Sequence, residues 1–324
     1  TATYPSQNDD LIINTNIYLG TYDTSNNFLS GYLAEFVYID GTALDETSFG
    51  EFDSQTGIWV PKNVNSLTAG TNGFYLNFQD GSNLGNDVFG GTDLTEYNLT
   101  SIDQSIDSCT NNFETLNPLT NSEMTFSEGN LKTVRGGTDG QFATSTFETN
   151  SGKWYFESKL LNYSGSSRPT IGLSQSSKSF SSTLAGASNN KAYYLLETST
   201  YQSNSATAVT VNSSPATDDI YMWGIDLDNL KFYIGKNGTW LHSSDPSAGS
   251  NGLAIEVSDY YSVATGPNDD GTDTSRNNEW IFNFGSPAYT ISSGNVDSSG
   301  LGNFEYAVPK GFYSLCTKNL NLIG

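Results

Sequence analysis

The sequence predicts an all-β fold, built from antiparallel β-sandwich modules of jelly-roll type with very little helix. Three observations carry that expectation. Aromatic residues make up 13% of a chain whose hydrophobic fraction is only 35%, so the apolar volume comes largely from Tyr, Phe and Trp, which suit pleated, half-buried surfaces. The 32 glycines, with many Asn, Ser and Thr and few Lys, Arg, Met or Ala, leave little material for long helices. Short runs of period two recur between Gly, Asn, Asp and Ser clusters, which is the pattern of strands joined by turns.

In chain order, residues 32–40 place Tyr32, Ala34, Phe36 and Tyr38 on one face and Leu33, Glu35, Val37 and Ile39 on the other. Both faces are largely apolar, which reads as a central strand. Helix is confined to single turns, the best being residues 44–49 with Asp45 as cap. Residues 73–78 set Phe74, Leu76 and Phe78 against Tyr75 and Asn77, a one-sided strand. Residues 81–117 are polar and read as a long ordered crossover; a structureless stretch of that length is uncommon inside one domain, so a boundary is expected near 117. Residues 153–160 alternate Trp154, Phe156, Ser158 and Leu160 against Lys153, Tyr155, Glu157 and Lys159, one face buried and one wet. Residues 220–226 and 231–234 flank a hairpin turn at Leu227, Asp228, Asn229 and Leu230, and Asn237-Gly238 supplies a second tight turn. Trp280, Phe282 and Phe284 fall on one side of a last strand.

A net charge of -22, from 35 acidic against 13 basic residues, repels phosphate backbones and anionic membranes and argues against nucleic acid as a partner. Such acidity suits a solvated surface in salty surroundings, or cation binding. No stretch reaches the roughly 20 apolar residues of a membrane span, so membrane insertion is not expected. No signal peptide opens the chain, and residue 1 is Thr, which reads as a piece of something longer. Cys109 and Cys316 are too few for a disulfide framework and are expected as buried free thiols.

Chemistry finds few candidates. His242 is the only histidine and is expected in a loop; one His and two Cys cannot supply four zinc ligands. Glu35 and Asp40 fall on opposite faces of their run, and Glu51 and Asp53 sit in a turn-like stretch beside Gly50, so no carboxylate pair is arranged for glycoside hydrolysis. Asn268, Asp269, Asp270, Gly271, Thr272 and Asp273 form the densest oxygen-rich cluster, a solvated turn or a Ca2+ site without the closing Glu of an EF-hand loop. Tyr193, Tyr194, Tyr201, Tyr260, Tyr261 and Trp240 could form an apolar platform for carbohydrate, or could be core. No catalytic, cofactor or metal residue is assigned.

The order Gly152-Lys153-Trp154-Tyr155-Phe156-Glu157, Ile171-Gly172-Leu173-Ser174, residues 219–226 and Leu230 through Lys236-Asn237-Gly238-Thr239-Trp240 resembles a SPRY domain. The match departs from that pattern at Asp218 and in the long polar insert 174–217, so the peptide-binding properties of animal members are not carried over. Residues 17–20 and 28–41 resemble the closing strands of a laminin-G or concanavalin-like sandwich. The resemblance implies three regions: 1–50 as the end of that sandwich, 51–117 as a connecting segment with a few strands, and 118–324 as the SPRY-like domain. The whole arrangement resembles virion proteins of tailed bacteriophages, particularly marine ones. It implies a non-enzymatic structural component on the virion surface, a tail fibre or capsid decoration. Its partners would be other virion proteins and a host-surface glycan or receptor, and it would form a homo-oligomer, as fibres do when they trimerise. The alternative is a secreted bacterial carbohydrate-binding module or polysaccharide-active protein.

Overall fold

The computed structural model describes residues 17–21, 26–29, 31–54, 57–108, 110–120, 124–135, 142–163, 169–175, 191–196, 198–204, 206–267 and 278–324. The chain divides into two compact units, Thr1–Gln104 and Ser105–Gly324. The fold is nearly all β, with antiparallel sheets.

In the first unit β1 (Phe36–Tyr38) pairs with β4 (Phe74–Leu76), and β2 (Gly50–Phe52) pairs with β3 (Trp59–Pro61). The run 32–40 is therefore not a central strand. Its paired part is three half-buried residues in a two-stranded sheet, and Tyr32 and Leu33 are exposed. Nor is β4 one-sided, because Phe74, Tyr75 and Leu76 are all buried. Its second face is covered by the following loop: the Tyr75 amide donates to Asp87 Oδ1 at 2.9 Å, Val88 N donates to Tyr75 O at 2.8 Å, and the Phe89 ring lies 5.5 Å from that of Tyr75. Asp45 precedes a 3-10 turn, Glu46–Ser48, and its carboxylate accepts from the Thr47 and Ser48 hydroxyls.

Among the described residues no strand lies between β4 and residue 124. A loop of this length must still satisfy its amides, and here carboxylates accept them. Asp80 receives Ser82 N, Asp87 receives Tyr75, Phe89 and Gly91 N, Asp93 receives Asp87 N, Glu96 receives Gly85 N, and Asp103 receives Thr100 N, all at 2.7–3.0 Å.

The second unit is a β-sandwich. Its strands are β5 (Met124–Ser127), β6 (Lys132–Arg135), β7 (Ala143–Thr144), β8 (Lys153–Tyr163), β9 (Pro169–Ser174), β10 (Lys191–Leu195), β11 (Thr200–Ser203), β12 (Val209–Thr210), β13 (Ile220–Asp226), β14 (Lys231–Lys236), β15 (Thr239–Trp240), β16 (Leu253–Ala254), β17 (Ser262–Pro267), β18 (Asn278–Asn283) and β19 (Tyr313–Ser314). One sheet has the order β12, β11, β10, β9, β17, β7. The other has the order β15, β14, β13, β8, β18, β6, β5, with β16 on β14 and β19 running parallel to β8. Ile171, Leu173, Tyr194 and Tyr201 from the first sheet meet Phe156, Trp223, Phe232 and Phe282 from the second. Rings interlock across the interface, with Tyr194 and Trp223 centroids 6.2 Å apart and Tyr201 and Phe232 5.4 Å apart. The β13–β14 hairpin and the Asn237-Gly238 turn, with φ of 48° and 81°, stand where the sequence places them. Trp280, Phe282 and Phe284 all face the core.

The wet face expected for β8 is dry at its middle, while Lys153 and Lys159 on the same face stay half-buried. Tyr155 and Glu157 are fully buried, because residues 304–312 lie over them and build a second apolar layer of Tyr155, Met222, Tyr233, Phe304 and Phe312. A seven-residue helix, α1 (Thr317–Ile323), follows β19; the sequence reading confined helix to single turns and missed it. Cys316, at its N-cap, is a buried free thiol, and Cys109 lies outside the described residues.

Gly172 in β9 sits where the backbone of the neighbouring strand comes close. A Cβ there would sit 2.1 Å from Ala192 O and 2.5 Å from Tyr193 Cα, both backbone atoms of the neighbouring strand. Gly172→Ala is expected to lower stability by about 2–3 kcal/mol, as overpacking does, with the loss read from urea denaturation.

Candidate functional site

The residues weighed for chemistry do not come together. His242 is exposed in the turn after β15 with φ of 57°. Glu35 accepts from the Tyr75 hydroxyl at 3.2 Å, while Asp40 Oδ2 takes both the backbone and side-chain amides of Asn72 at 3.0 and 2.9 Å. Glu51 stands 3.9 Å from Lys62 Nζ, with both side chains largely in solvent. Asp53 lies in the β2–β3 connection, where its amide donates to Ile58 O and its carbonyl accepts from Gly57 N. The cluster Asn268–Asp273 lies outside the described residues. Among the described residues no group of three or more His, Cys, Asp or Glu is placed to hold a metal ion.

Burial separates the two readings of the aromatic set, platform or core, for most of its members. Tyr194, Tyr201 and Tyr261 point into the sandwich core, where alternation along a covered strand puts every second side chain. Tyr193 packs with Phe142 and Ala264 on the other face of its sheet, its hydroxyl donating to Gln202 Oε1 at 2.8 Å. Trp240 is half-buried against the second apolar layer, which leaves Tyr260 as the exposed member of the set.

Exposed aromatic surface is found instead in the first unit, on the β2–β3 hairpin. Phe52 and Trp59 are directly opposed across the two strands, 70% and 42% exposed. Pairing puts Gly50 and Pro61 on the same face and Glu51 and Val60 on the other. Phe52 meets Trp59 edge to face, with ring centroids 5.0 Å apart and planes at 76°. A Cβ at Gly50 would lie 2.5–2.6 Å from the Trp59 ring atoms Cε2, Nε1 and Cζ2. The absence of a side chain at 50 thus seats the indole on the strand, with Phe52 as a wall beside it. Sequence reasoning passed over this pair because three-residue strands give too little alternation to register; the available signal was Gly50-Glu51-Phe52 facing Trp59-Val60-Pro61 across Gly57.

Two carboxyls of the second unit are shifted by burial. Glu157 on β8 accepts from Tyr155 Oη and Tyr306 N at 2.8 Å, from Glu305 N at 3.0 Å and from Asn283 Nδ2 at 3.4 Å. Desolvation still raises its pKa above the ordinary value, with those donors opposing. Glu114 is more isolated. Its Oε1 accepts from Phe147 N at 3.1 Å while Oε2 makes no hydrogen bond, and it borders a small cavity lined also by Thr149, Trp154, Leu173 and Tyr261. Desolvation pushes its pKa up to about 8, against the partial pull of Ser145 and the Phe147 amide.

No family model matches the sequence, and no curated protein matches it. Among solved structures, the chain is similar to the SPRY domain of human HERC1 (11% identity, TM-score 0.39, covering 52% of this chain and 96% of that one). It is also similar to a human SPRY domain (11%, 0.35, 53% and 98%) and to the PSpry domain of TRIM65 (8%, 0.38, 53% and 92%). Each of these three similarities covers about half of the chain.

Proposed function

We propose that this chain is a non-enzymatic structural component of a tailed-phage virion, a fibre or surface-decoration protein that meets the host surface through the β2–β3 hairpin. The observation that carries this reading is the pairing of Phe52 and Trp59 in solvent on a turn-rich, acidic scaffold. Large aromatic side chains held at low conformational cost are effective contact residues. The scaffold's carboxylates, by contrast, are largely engaged in holding its own amides. The virion setting is supported by the sequence resemblance described above, as are homo-oligomerisation and contact with other virion proteins.

The second reading, a secreted carbohydrate-binding module, is favoured by the same indole, whose apolar plane could stack on the C–H face of a neutral sugar ring. Binding of the full chain to a glycan array and to whole bacterial cells tests both. The expected result is that Phe52→Ala with Trp59→Ala reduces surface binding at least tenfold and leaves the thermal midpoint unchanged, because neither ring belongs to a core. Undiminished binding would remove the hairpin from the account. Binding to isolated neutral polysaccharide without association with particles would favour the second reading.

A further inference from the structure

One end of the sandwich holds three buried hydroxyls. Tyr194 projects from β10 in the six-stranded sheet, Tyr221 from β13 in the nine-stranded sheet, and Ser213 lies in the connection between β12 and β13. Tyr194 and Tyr221 are fully buried, and Ser213 is 7% exposed. The two phenol rings are 6.3 Å apart and tilted by 46°, and the Ser213 side chain stands beside both. None of the three oxygens meets a protein partner in good hydrogen-bond geometry, although Ser213 lies near enough to both phenols, and Ser199 to Tyr194, to bear on their ionisation. The Ser213 backbone is pinned by Ser199, whose Oγ donates to its carbonyl and accepts from its amide.

Three converging, unbonded hydroxyls in a dry interior are costly unless something satisfies them, and most buried polar groups are satisfied. The set contains no carboxylate. Asp219, the acid whose charge bears on Tyr221, is already taken by Ala216 N at 2.8 Å, Lys236 Nζ at 3.1 Å and Asn237 Nδ2 at 2.7 Å. Each hydroxyl both donates and accepts, so the ligand they fit is small, neutral and able to do the same. A buried water typically makes about three such bonds to otherwise unsatisfied groups.

We propose that one ordered water bridges Tyr194 Oη, Tyr221 Oη and Ser213 Oγ and ties the two sheets together at this end of the sandwich. A crystal structure of the full chain that resolves ordered solvent is expected to show density within about 3 Å of all three oxygens. No density there, or hydroxyls bonded directly to one another, would overturn the proposal. Stability provides an independent readout. With a bridging water, Tyr194→Phe and Tyr221→Phe each remove a satisfied bond and lower the midpoint of the second unit by about 2–4 °C, and the double variant falls by less than the sum. Without the water each substitution removes an orphaned polar atom, so the midpoints would hold or rise, and that result would overturn it too.

Discussion

Replacing Asp297 with alanine is expected to lower the stability of the second unit by about 3–5 kcal/mol, in the range for stripping one partner from a buried charged network. Asp297 is 5% exposed and collects five donors: Ser314 N and Oγ at 2.8 and 2.7 Å, Asn319 Nδ2 at 2.7 Å, and the amides of Ser299 and Leu301 at 2.8 and 2.9 Å. It therefore fastens three things at once: its own turn, β19 and α1. Asn319 is itself fully buried and donates also to Ser314 O at 2.9 Å. Alanine would strand these donors without water. Asp297→Asn keeps the shape but offers a single acceptor oxygen, and is expected to recover only part of the loss. Urea denaturation followed by tryptophan fluorescence measures both, and a loss below about 1 kcal/mol for alanine, the size of an ordinary hydrogen bond, would show that the carboxylate is not the fastening point.

Glu114→Gln is expected to stabilise the second unit at alkaline pH and to change little in acid. The ordinary value for this carboxyl is 4.5 and burial raises it to about 8 in the folded protein. Between those values the unfolded chain releases the proton and the folded chain keeps it, so the folded state binds more protons and stability falls as pH rises. The decline amounts to about 1.4 kcal/mol per pH unit within that window, and levels off above the folded value. Glu157, also raised by desolvation, acts in the same direction. Glutamine cannot ionise, so the difference between variant and wild type should grow from near zero at about pH 4 to roughly 5 kcal/mol near pH 9. Thermal unfolding across that range is the check, and parallel curves for the two proteins would contradict the assignment. The exposed acids Asp45, Asp80 and Asp93 of the first unit have the opposite sense. Hydrogen bonds lower their pKa below 3.8, so what they contribute is present above that value and is lost as pH falls through the folded value.

How much of this was legible in the sequence depended on the range of the interaction concerned. The fold class, the β13–β14 hairpin and the Asn237-Gly238 turn follow from local patterning, because alternation and positive φ are properties of adjacent residues. The burial of Tyr155 and Glu157 does not, since it is imposed by residues about 150 positions later that fold back over β8. For the same reason Tyr193, Tyr194, Tyr201 and Tyr261 could be read as a platform: alternation says that they share faces and says nothing of what covers those faces. The acidity had been open to two readings, solvation or cation binding. Part of it has a third cause, visible only with coordinates, because Asp80, Asp87, Asp93, Glu96 and Asp103 supply the acceptors that missing strands would otherwise provide. Phe52 and Trp59 escaped notice because their meaning lies in exposure, which no spacing records.

Whether the chain is, as proposed, a structural protein of a virion surface is decided by locating it in a density map of the whole particle. Density for the two units is expected on the exterior, in a fibre or on the shell, with the β2–β3 hairpin turned outward. Particles that lack the chain, or that carry it inside the shell against the packaged nucleic acid, would contradict the proposal.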